Sequence, residues 1–458
     1  MGTRFGTDGI RGVANTELTV EIALAAGRAV ARVLPAGSIA LGRDTRLSGP
    51  MLQAAVSAGI AAEGTSVVDL GVLPTPAVAW LAAERSIPAV VVSASHNPFG
   101  DNGIKLFAAG GLKLPLEVEA AVESEMLGLL DQSAPPRPPP SGRGVGRVAS
   151  DASLAGSYVD HLVSVLEGRD LGGIRVVIDC ANGAASPVAA EALKRAGASV
   201  QAIACEPDGT NINDHCGSTC PDLLVETVLS ERADIGLAVD GDADRLVAVD
   251  HAGRVATGDE LIALFATDLA RRQKLAGNTV VVTVMSNLGF HLAMGESGIS
   301  VRCTEVGDRH VTEAMQADGL VLGGEQSGHI VFGEWATTGD GLLTGLLLAD
   351  LVARSGRSLA ELVASSMQRV PQVLLNVPAA EPAVAEGEAV LAEVEAVREQ
   401  LGDKGRVLVR ASGTEPVVRV MVEATDGQAA DEAAKRIAVA VARSAGEEAP
   451  AHAFSPSQ

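Results

Sequence analysis

The sequence predicts an α/β protein with three related α/β domains, each with a covered mixed sheet, followed by a C-terminal α+β domain. The first reason is length, because 458 residues at roughly 100 to 200 per domain give about three domains. The second is a pattern that occurs three times: an apolar run, a polar loop, an Ala-rich stretch, then a Gly and a β-branched run. The copies begin at Ser38, Ile174 and Thr279, and their second runs begin at Gly64, Gly197 and Gly298. Such alternation is typical of βαβ units, whose parallel strands are covered by helices on both faces.

The helices are predicted from periodicity and from their ends. Leu52, Val56 and Ile60 recur at helical spacing. Gly64 and Gly197 follow the Ala-rich stretches, at positions where a helix is expected to stop.

Proline-rich segments suggest the domain boundaries, because neither helices nor central strands continue through proline. Pro135 to Pro140 is expected to be a surface excursion, and the prolines from Pro371 to Pro382 separate a fourth unit with a strand at Val417 to Glu423 and a helix from about Gln428 to Ala445. The predicted domains are residues 1–155, 156–253, 254–369 and 370–458.

Composition excludes several classes of partner. The chain has 35 Lys and Arg against 57 Asp and Glu, a net charge of −22, which is the wrong sign for binding nucleic acid or an anionic membrane. Aromatic residues are only 2% of the chain, too few for base stacking or for an interfacial belt. No N-terminal apolar segment or membrane-length stretch is present, so we expect a cytoplasmic protein without nucleic-acid or membrane partners.

The five cysteines form an odd, sparse set, which favours reduced thiols over a disulfide framework. Cys216 and Cys220, with His215 and His251, leave structural zinc as an alternative. Their spacing lacks a second ligand pair, so buried or inactive thiols are the preferred interpretation.

The motif Asp240-Gly-Asp-Ala-Asp244-Arg245 follows an apolar run that is expected to be a strand. Carboxylates at Asp240, Asp242 and Asp244 can converge on one side of an extended loop, and hard oxygen ligands suit Mg²⁺. An EF-hand is disfavoured because Arg245 and His251 occupy the positions of its Gly and Glu. A solvated acidic turn remains the alternative.

A second motif, Ser93-Ala-Ser95-His96-Asn97-Pro98, follows the apolar run Ala89 to Val92. A strand that ends in small polar residues displays them at a sheet edge, so Ser95 is a candidate nucleophile. No Gly-x-Ser-x-Gly elbow is present, and an ordinary turn serine remains the alternative.

A third motif near the C terminus combines two guanidinium groups with hydroxyls and a flexible glycine. This composition is typical of a phosphate cradle, with a solvated basic turn as the alternative. The candidate residues are Arg410, Ser412, Gly413, Thr414 and Arg419.

A fourth motif, Gly323 to His329, is a polar loop between apolar runs, and its Glu325 and Ser327 could bind sugar hydroxyls. A plain polar loop is an equal alternative at this point. Together, however, the four motifs supply a hydroxyl nucleophile, a site for a divalent metal, a loop that can bind sugar hydroxyls and a phosphate-binding loop. Each lies in a different predicted domain. That combination predicts phosphoryl transfer on a sugar.

The motifs resemble the α-D-phosphohexomutases over essentially the whole chain and in the same order. The resemblance rests on Phe5 to Gly12, Ser93 to Phe99, Asp101 to Lys105 and Gly324 to His329. These segments are most similar to the bacterial branch that acts on glucosamine phosphates, rather than to the phosphomannomutase branch.

The resemblance implies four domains around a central cleft and a phosphorylated Ser95. This serine would donate its phosphoryl group to O1 of glucosamine 6-phosphate. The resulting glucosamine 1,6-bisphosphate, for which another hexose 1,6-bisphosphate could substitute as activator, would turn over and return its 6-phosphoryl group to Ser95. The product, glucosamine 1-phosphate, would feed the synthesis of amino-sugar nucleotides and cell-wall precursors.

The same resemblance implies roles for the other residues. Asp240, Asp242 and Asp244 would hold Mg²⁺ together with a phosphoserine oxygen on Ser95. Lys105 would be a general acid or base beside the serine, with a plain surface lysine as the alternative. The remaining implied residues are Arg11 and His96 around the serine, Arg245 beside the metal loop, Glu325, Ser327 and His329 at the sugar, and Arg410, Ser412, Gly413, Thr414 and Arg419 at the phosphate that does not react.

Two departures from the family pattern remove no role: Ala243 stands where many relatives have Gly, and His310 where many have Tyr. The resemblance implies a small-molecule phosphosugar as partner, a monomer or homodimer, and a hinge near Pro371. Three alternatives stay open: a phosphomannomutase or phosphoglucomutase, a metal-dependent sugar phosphatase, and a non-catalytic phosphosugar sensor.

Overall fold

The computed structural model describes residues 6, 9–134, 137–151, 153–379, 381–411 and 416–446. The chain forms two compact units. The larger comprises Met1–Met285 and Gly298–Ser366, and the smaller comprises Ser286–Ser297 and Met367–Gln458. The division therefore falls before Pro371, and the predicted hinge there stays a prediction.

The first sheet of the larger unit has six strands, is mixed, and is accompanied by helices. Its elements are β1 (Ile10–Val13), α1 (Val20–Val33), β2 (Ser38–Arg43), α2 (Gly49–Ala62), β3 (Ser66–Val72), α3 (Thr75–Arg85), β4 (Ala89–Val92), β5 (Asp101–Phe107), α4 (Leu116–Leu130) and β6 (Val148–Ser150). The strand order is β1-β5-β4-β2-β3-β6, with β2 parallel to β3 and β4, and β5 antiparallel to β4 and β1. Leu52, Val56 and Ile60 on α2 are fully buried in its core, as their periodicity predicts.

The second sheet has five strands. Its elements are α5 (Leu154–Ser164), β7 (Arg175–Asp179), α6 (Ala189–Arg195), β8 (Ser199–Ile203), α7 (Asp222–Glu231), β9 (Ile235–Val239), β10 (Leu246–Asp250) and β11 (Val255–Ala256). The order is β11-β10-β9-β7-β8, with β7 parallel to β8 and β9, and β10 antiparallel to β9. The predicted metal loop lies between β9 and β10.

The third sheet has four strands in the order β13-β12-β14-β15, again parallel except at one edge. The crossover helix α9 belongs to the smaller unit. The elements of this region are α8 (Gly258–Arg271), β12 (Thr279–Thr283), α9 (Leu288–Glu296), β13 (Ser300–Thr304), α10 (Asp308–Asp318), β14 (Leu322–Gly324), β15 (Ile330–Phe332), α11 (Gly341–Ser355) and α12 (Leu359–Ala364).

The three-copy pattern of the sequence corresponds to three parallel strand pairs, β2 with β3, β7 with β8, and β12 with β13. In each copy the intervening helix ends just before a glycine in the left-handed region. Gly64, Gly197 and Gly298 have φ of 93°, 95° and 68°. Only glycine adopts this conformation at little cost, so each copy uses the same stop signal.

The smaller unit is α+β, as predicted. Its elements after α9 are β16 (Gln372–Pro378), α13 (Glu388–Leu401), β17 (Gly405–Ala411), β18 (Val417–Ala424) and α14 (Gly427–Ser444). The strands form an antiparallel sheet in the order β16-β18-β17, and α14 packs against β16 and β18. On the α9 side of this unit, the Asn287 amide donates to the Glu423 carboxylate at 2.9 Å.

Four short 3₁₀ turns complete the regular structure: Gly142–Gly144, Ala276–Asn278, Pro382–Glu386 and Gly402–Lys404. In the predicted excursion, Arg137 to Pro140 have irregular structure, whereas Pro135 and Pro136 lie outside the described residues. Within the part of the chain that the structure describes, no helix has the length and apolar character needed to cross a membrane.

Candidate active site

Asp240, Asp242 and Asp244 lie together on the loop that follows β9. All three are buried, and each has a ligand atom within 4.8 Å of the others. The loop turns at Ala243, whose φ of 61° is left-handed and costs a non-glycine residue about 1–2 kcal/mol. A glycine at this position would adopt the same conformation at little cost.

The carboxylates of the trio bring more negative than positive charge into this buried region. Burial, and then the neighbouring Asp244 and Asp242 carboxylates, raise the pKa of Asp240 well above its ordinary range. Asp242 Oδ1 is buried and has no hydrogen-bond partner among the described residues. Three converging hard oxygen ligands with an unsatisfied oxygen fit Mg²⁺. Among the described His, Cys, Asp and Glu residues, this is the only group of three or more that could hold a metal ion.

Ser95 lies beside this trio. It follows β4 and adopts φ 52°, a left-handed conformation that is uncommon for serine. Its hydroxyl donates to Asp240 Oδ2 at 2.5 Å, and His96 Nδ1 lies 3.3 Å from the same Oγ. The side chain is buried, with 1% of its surface exposed. The structure thus brings together the candidate nucleophile and the candidate metal ligands, which are 145 residues apart in sequence.

His96 is electrically neutral near pH 7. Burial, followed by the guanidinium groups of Arg245 and Arg11, lowers its pKa to about 4. A neutral imidazole has a ring nitrogen that can accept a hydrogen bond or a proton. Nδ1 is therefore a second acceptor within reach of the Ser95 hydroxyl, in addition to Asp240.

Lys105 is a buried cation on β5, not a surface lysine. Its Nζ lies 2.8 Å from Asp242 Oδ2 and 3.3 Å from Asp244 Oδ2, and 3% of the residue is exposed. The Thr75 hydroxyl donates to the same Asp242 oxygen at 2.6 Å. The ammonium group thus offsets part of the negative charge of the trio.

The sequence motifs did not identify Arg46, which holds the backbone of the serine loop. It is completely buried, and its Nη2 donates to the carbonyl oxygens of Ser95 at 2.9 Å and Asn97 at 2.7 Å. Its Nη1 donates to the Asp101 carbonyl at 3.0 Å. The Asn213 amide adds a bond to the Ser95 carbonyl at 2.9 Å. The strained conformation of Ser95 is therefore held by several donors on one short stretch of backbone.

Asp44 supports Arg46 from the other side. The Arg46 Nε donates to Asp44 Oδ2 at 2.9 Å, and the Ser93 hydroxyl donates to the same oxygen at 2.6 Å. The Ser93 oxygen in turn accepts from the Ser95 amide at 3.0 Å. One signal was present in the sequence: Asp44 to Arg46 is a polar run directly after β2, like the other loops of the site.

The predicted sugar loop connects β14 and β15. Glu325 is partly buried and accepts from the Gly307 amide at 3.1 Å, while Ser327 is exposed. His329 is buried, and its Nε2 accepts from the Gly339 amide at 3.1 Å.

The sugar loop and the metal loop lie side by side, joined through Arg245. Burial alone would lower the pKa of Arg245, but the carboxylates of Asp244, Asp240 and Glu325 together raise it. The backbone joins the two loops as well, because the Leu246 amide donates to the Gly328 carbonyl at 3.0 Å. The structure therefore brings three of the four motifs into one region of the larger unit.

The sequence analysis also did not identify a cluster of charged residues next to the sugar loop. The Asp308 carboxylate pairs with Lys113 Nζ at 2.7 Å and lies 3.7 Å from His329 Nε2. Arg309 pairs with the buried Glu119. These pairs join residues almost 200 positions apart, so no local motif indicated them.

The third motif, the predicted phosphate-binding residues near the C terminus, lies in the smaller unit. Arg410 on β17 and Arg419 on β18 are direct partners across the antiparallel ladder. Burial, and then the charge of Arg419, lowers the pKa of Arg410. Two adjacent guanidinium groups repel one another until an anion lies between them, which suits a phosphate. Ser412, Gly413 and Thr414 lie outside the described residues.

Comparison with known families covers nearly the whole chain. Models of the phosphoglucomutase/phosphomannomutase family match its alpha/beta/alpha domain I at residues 2–131, domain II at 156–253, domain III at 257–370, and its C-terminal domain at 374–440. The chain belongs to this family, and its α/β fold with mixed sheets is that of the family.

Curated relatives refine the comparison. The chain is 52% identical to the phosphoglucosamine mutase of Frankia alni, over 96% of this chain and 98% of that protein. It is 53% identical to the phosphoglucosamine mutase of Saccharopolyspora erythraea, over 96% and 99%.

Among solved structures, a phosphoglucomutase/phosphomannomutase family protein from Burkholderia thailandensis matches with a TM-score of 0.78 and 25% identity, over 96% of this chain and 97% of that one. The N-acetylphosphoglucosamine mutase of Aspergillus fumigatus, solved with GlcNAc-6P and magnesium, matches in fold with a TM-score of 0.69 and 20% identity, over 96% of each chain.

Proposed function

We propose that this protein is a phosphoglucosamine mutase, which interconverts glucosamine 6-phosphate and glucosamine 1-phosphate through a phosphorylated Ser95. One observation carries the mechanism: the Ser95 hydroxyl lies 2.5 Å from Asp240 in a buried trio of carboxylates, with Lys105 beside it. The substrate assignment is supported by relatives of that name at 52% identity over nearly the full length.

Catalysis begins with the phosphoryl group on Ser95. O1 of glucosamine 6-phosphate attacks the phosphorus and the bond to Ser95 Oγ breaks. The proton of the O1 hydroxyl passes to a nearby base, and the departing Ser95 oxygen takes up a proton to become the hydroxyl. Lys105 is the candidate acid or base for this sugar hydroxyl. Arg46 keeps the serine backbone fixed throughout, so the reacting oxygen stays in position.

The second half-reaction reverses these roles on the other phosphate. The 1,6-bisphosphate turns over, the Ser95 hydroxyl attacks the 6-phosphoryl group, and the bond from that phosphorus to O6 of the sugar breaks as O6 takes up a proton. Its proton has two acceptors in place, Asp240 Oδ2 at 2.5 Å and the neutral His96 Nδ1 at 3.3 Å. Glucosamine 1-phosphate is the product.

Asp240, Asp242 and Asp244 would hold Mg²⁺ together with an oxygen on Ser95. When bound, the ion would neutralise charge that develops on the transferring phosphoryl group. Glu325, Ser327 and His329 are proposed to recognise the sugar, with Arg11 and Arg245 near the phosphoryl group. Arg410, Ser412, Gly413, Thr414 and Arg419 are proposed to hold the phosphate that is not reacting.

The test of the mechanism is intact mass spectrometry of the purified protein, followed by peptide mapping. We expect one phosphoryl group, located on Ser95. The Ser95→Ala variant should lose the modification and at least a thousandfold of mutase turnover, while its melting temperature changes little because only one hydroxyl is removed. Ser153→Ala, which removes an exposed hydroxyl, is the matched control. Near-normal turnover in Ser95→Ala would assign the nucleophile elsewhere.

The test of the substrate is kcat/KM for glucosamine, glucose and mannose 6-phosphates. We expect the amino sugar to be preferred, and a large preference for mannose 6-phosphate would replace the substrate assignment with that of a phosphomannomutase. Product analysis separates a mutase from a phosphatase, because only the phosphatase releases one inorganic phosphate for each substrate consumed.

A further inference from the structure

A cavity of about 640 Å³ lies away from the active site, within the larger unit. It lies between the second sheet and the end of α11, with Arg175, Asp234 and His251 on one side and Val352 and Arg357 on the other. A volume of this size accommodates a ligand of nucleotide dimensions.

The charge of this cavity is opposite to that of the protein. Arg175, Arg232 and Arg357 line it, against the single carboxylate of Asp234, whereas the whole chain has a net charge of −22. Arg175 and Asp234 neutralise one another in a two-point ion pair, with side-chain N to O distances of 3.1 and 3.3 Å. Of the other two guanidinium groups, that of Arg357 interacts with the nearby Glu361 charge, so Arg232 carries the positive charge that remains in excess.

These two arginines are presented differently. Arg232 is exposed at the C-terminal end of α7, in the left-handed conformation, and no ion pair to it occurs among the described residues. Arg357 Nη2 donates to the Glu361 carbonyl at 2.7 Å and to the Ser365 hydroxyl at 3.1 Å, which fixes its position. A fixed and an unengaged guanidinium in one cavity suit an anion with several oxygens.

The cavity also has an apolar wall, made of Ile174, Leu229, Val352 and Ala353. A ligand that satisfies both features has an anionic end and a flat or apolar body. Phosphorylated organic molecules such as nucleotides have this composition, and inorganic anions do not use the apolar wall.

Its position connects it to the catalytic residues. Asp234 directly precedes β9 and Asp240 directly follows it, so the cavity and the metal loop lie at opposite ends of one five-residue strand. At about 3.3 Å per residue, the six steps from Asp234 to Asp240 span roughly 20 Å. The strand is completely buried and paired on both sides. A displacement of its first residues is therefore transmitted to the loop that holds Asp240.

We propose that this cavity is a regulatory binding site for an organic phosphate of nucleotide size, which acts on the active site through β9. Arg232 and Arg357 bind the phosphate groups, and the apolar wall receives the organic part. The site is separate from the phosphosugar site and does not depend on which hexose phosphate the enzyme prefers.

The test is isothermal titration of the full-length protein in 50 mM salt with three probes: ADP, adenosine and inorganic pyrophosphate. We expect ADP to bind one to one, pyrophosphate to bind at least tenfold more weakly, and adenosine to give no measurable heat. A saturating concentration of glucose 1,6-bisphosphate should leave ADP binding unchanged, because that molecule occupies the active site. No heat with ADP, or complete competition by the bisphosphate, would refute the proposed site.

Variants locate the binding. Arg232→Gln should weaken ADP binding about ten- to a hundredfold, since one charge-assisted contact is lost. Arg302→Gln, which removes an exposed arginine on β13, is the matched control and should bind ADP like the wild type. Equal binding by Arg232→Gln and the wild type would mean that Arg232 only caps α7, and the proposal would be wrong.

Turnover tests the regulatory part. Saturating ADP, added with enough magnesium to keep the free metal constant, should change kcat at least twofold in the wild type and leave it unchanged in Arg232→Gln. Without ADP the two proteins should have the same kcat, because Arg232 is no part of the catalytic machinery. An unchanged wild-type kcat with ADP bound would leave no regulatory role for the cavity.

Discussion

The larger unit contains two buried sites with carboxylates, Asp44 and the trio, whose negative charges are compensated in different ways. Asp44 has one guanidinium partner, Arg46, and a hydroxyl donor, so its charge is matched inside the fold. In the trio, Asp242 and Asp244 pair with the ammonium of Lys105, and Arg245 Nε lies 3.8 Å from Asp244. Three carboxylates therefore face two cations, and one oxygen of Asp242 has no hydrogen-bond partner among the described residues. The comparison teaches that a matched carboxylate can hold a loop in position, whereas the trio has negative charge left over and could hold a metal ion.

Asp240→Asn is the change that should separate the two groups most strongly. It removes one charge from the unmatched trio and keeps an oxygen for the Ser95 hydroxyl. We expect mutase turnover to fall about a hundred- to a thousandfold, because electrostatic stabilisation at the phosphoryl group is lost. In chelator, the free energy of unfolding should stay equal or rise, because repulsion with Asp242 and Asp244 is relieved.

The measurements are initial rates with saturating magnesium and urea unfolding in chelator. Asp318→Asn, at a partly exposed position on α10, is the control and should change stability by less than about 0.5 kcal/mol. If Asp240→Asn unfolded more than about 1 kcal/mol more easily than the wild type, the trio would be a structural group like Asp44.

Arg46→Met tests the matched group. It leaves Asp44 buried with an uncompensated charge, and we expect a loss of about 3–5 kcal/mol in the free energy of unfolding. The carbonyls of Ser95 and Asn97 each lose the Arg46 donor and keep only the Asn213 amide, so kcat should fall while KM for the sugar phosphate changes less.

Arg46→Lys provides the second arm of this test, should the methionine variant fail to fold. It keeps the charge beside Asp44 but cannot reach all the carbonyls, so it should recover most of the stability and only part of kcat. If both variants were as stable and as active as the wild type, Arg46 would have no role in holding the serine loop.

The sequence predicted the parts of the site that are local. The trio is encoded at i, i+2 and i+4 after a strand, and Ser95 follows another strand, so each could be identified from its own segment. The three strand pairs were predicted for the same reason, since periodicity and a stop glycine belong to each copy. The fold class could therefore be predicted from the individual segments, without knowledge of the contacts between them.

The parts that were missed depend on contacts between distant segments. Arg46 is about 50 residues from the carbonyls that it binds, and Lys113 is 195 residues from Asp308. The membership of α9 in the smaller unit also depends on distant partners, because Asn287 pairs with Glu423. Periodicity and spacing carry no information about such pairs, because the partners are set by packing rather than by the local backbone.

Asp340 is a third buried carboxylate, intermediate between Asp44, which has a cation partner, and the trio, which has too few. It is buried, and no ion pair to it occurs among the described residues. Its carboxylate accepts from the Tyr158 hydroxyl at 2.8 Å and from the Leu343 amide at 2.9 Å. Burial raises its pKa to about 6. Because this value lies above the ordinary value of 3.8, the folded state binds the proton more tightly than the unfolded state does. The stability that Asp340 contributes is therefore greatest at low pH and declines as pH rises through 6.

Asp340→Asn should remove this dependence, because the amide does not ionise. We expect the stability of the variant relative to the wild type to increase by about 1 kcal/mol between pH 5.5 and pH 8, which keeps the protein above its isoelectric point of about 4.8. Urea unfolding of both proteins at the two pH values measures the difference. A constant difference would mean that Asp340 is ionised in the folded protein throughout this range, held by its two neutral donors alone. In that case hydrogen bonds without a cation would suffice to keep a buried carboxylate charged, and the unmatched charge of the catalytic trio would no longer require a metal ion.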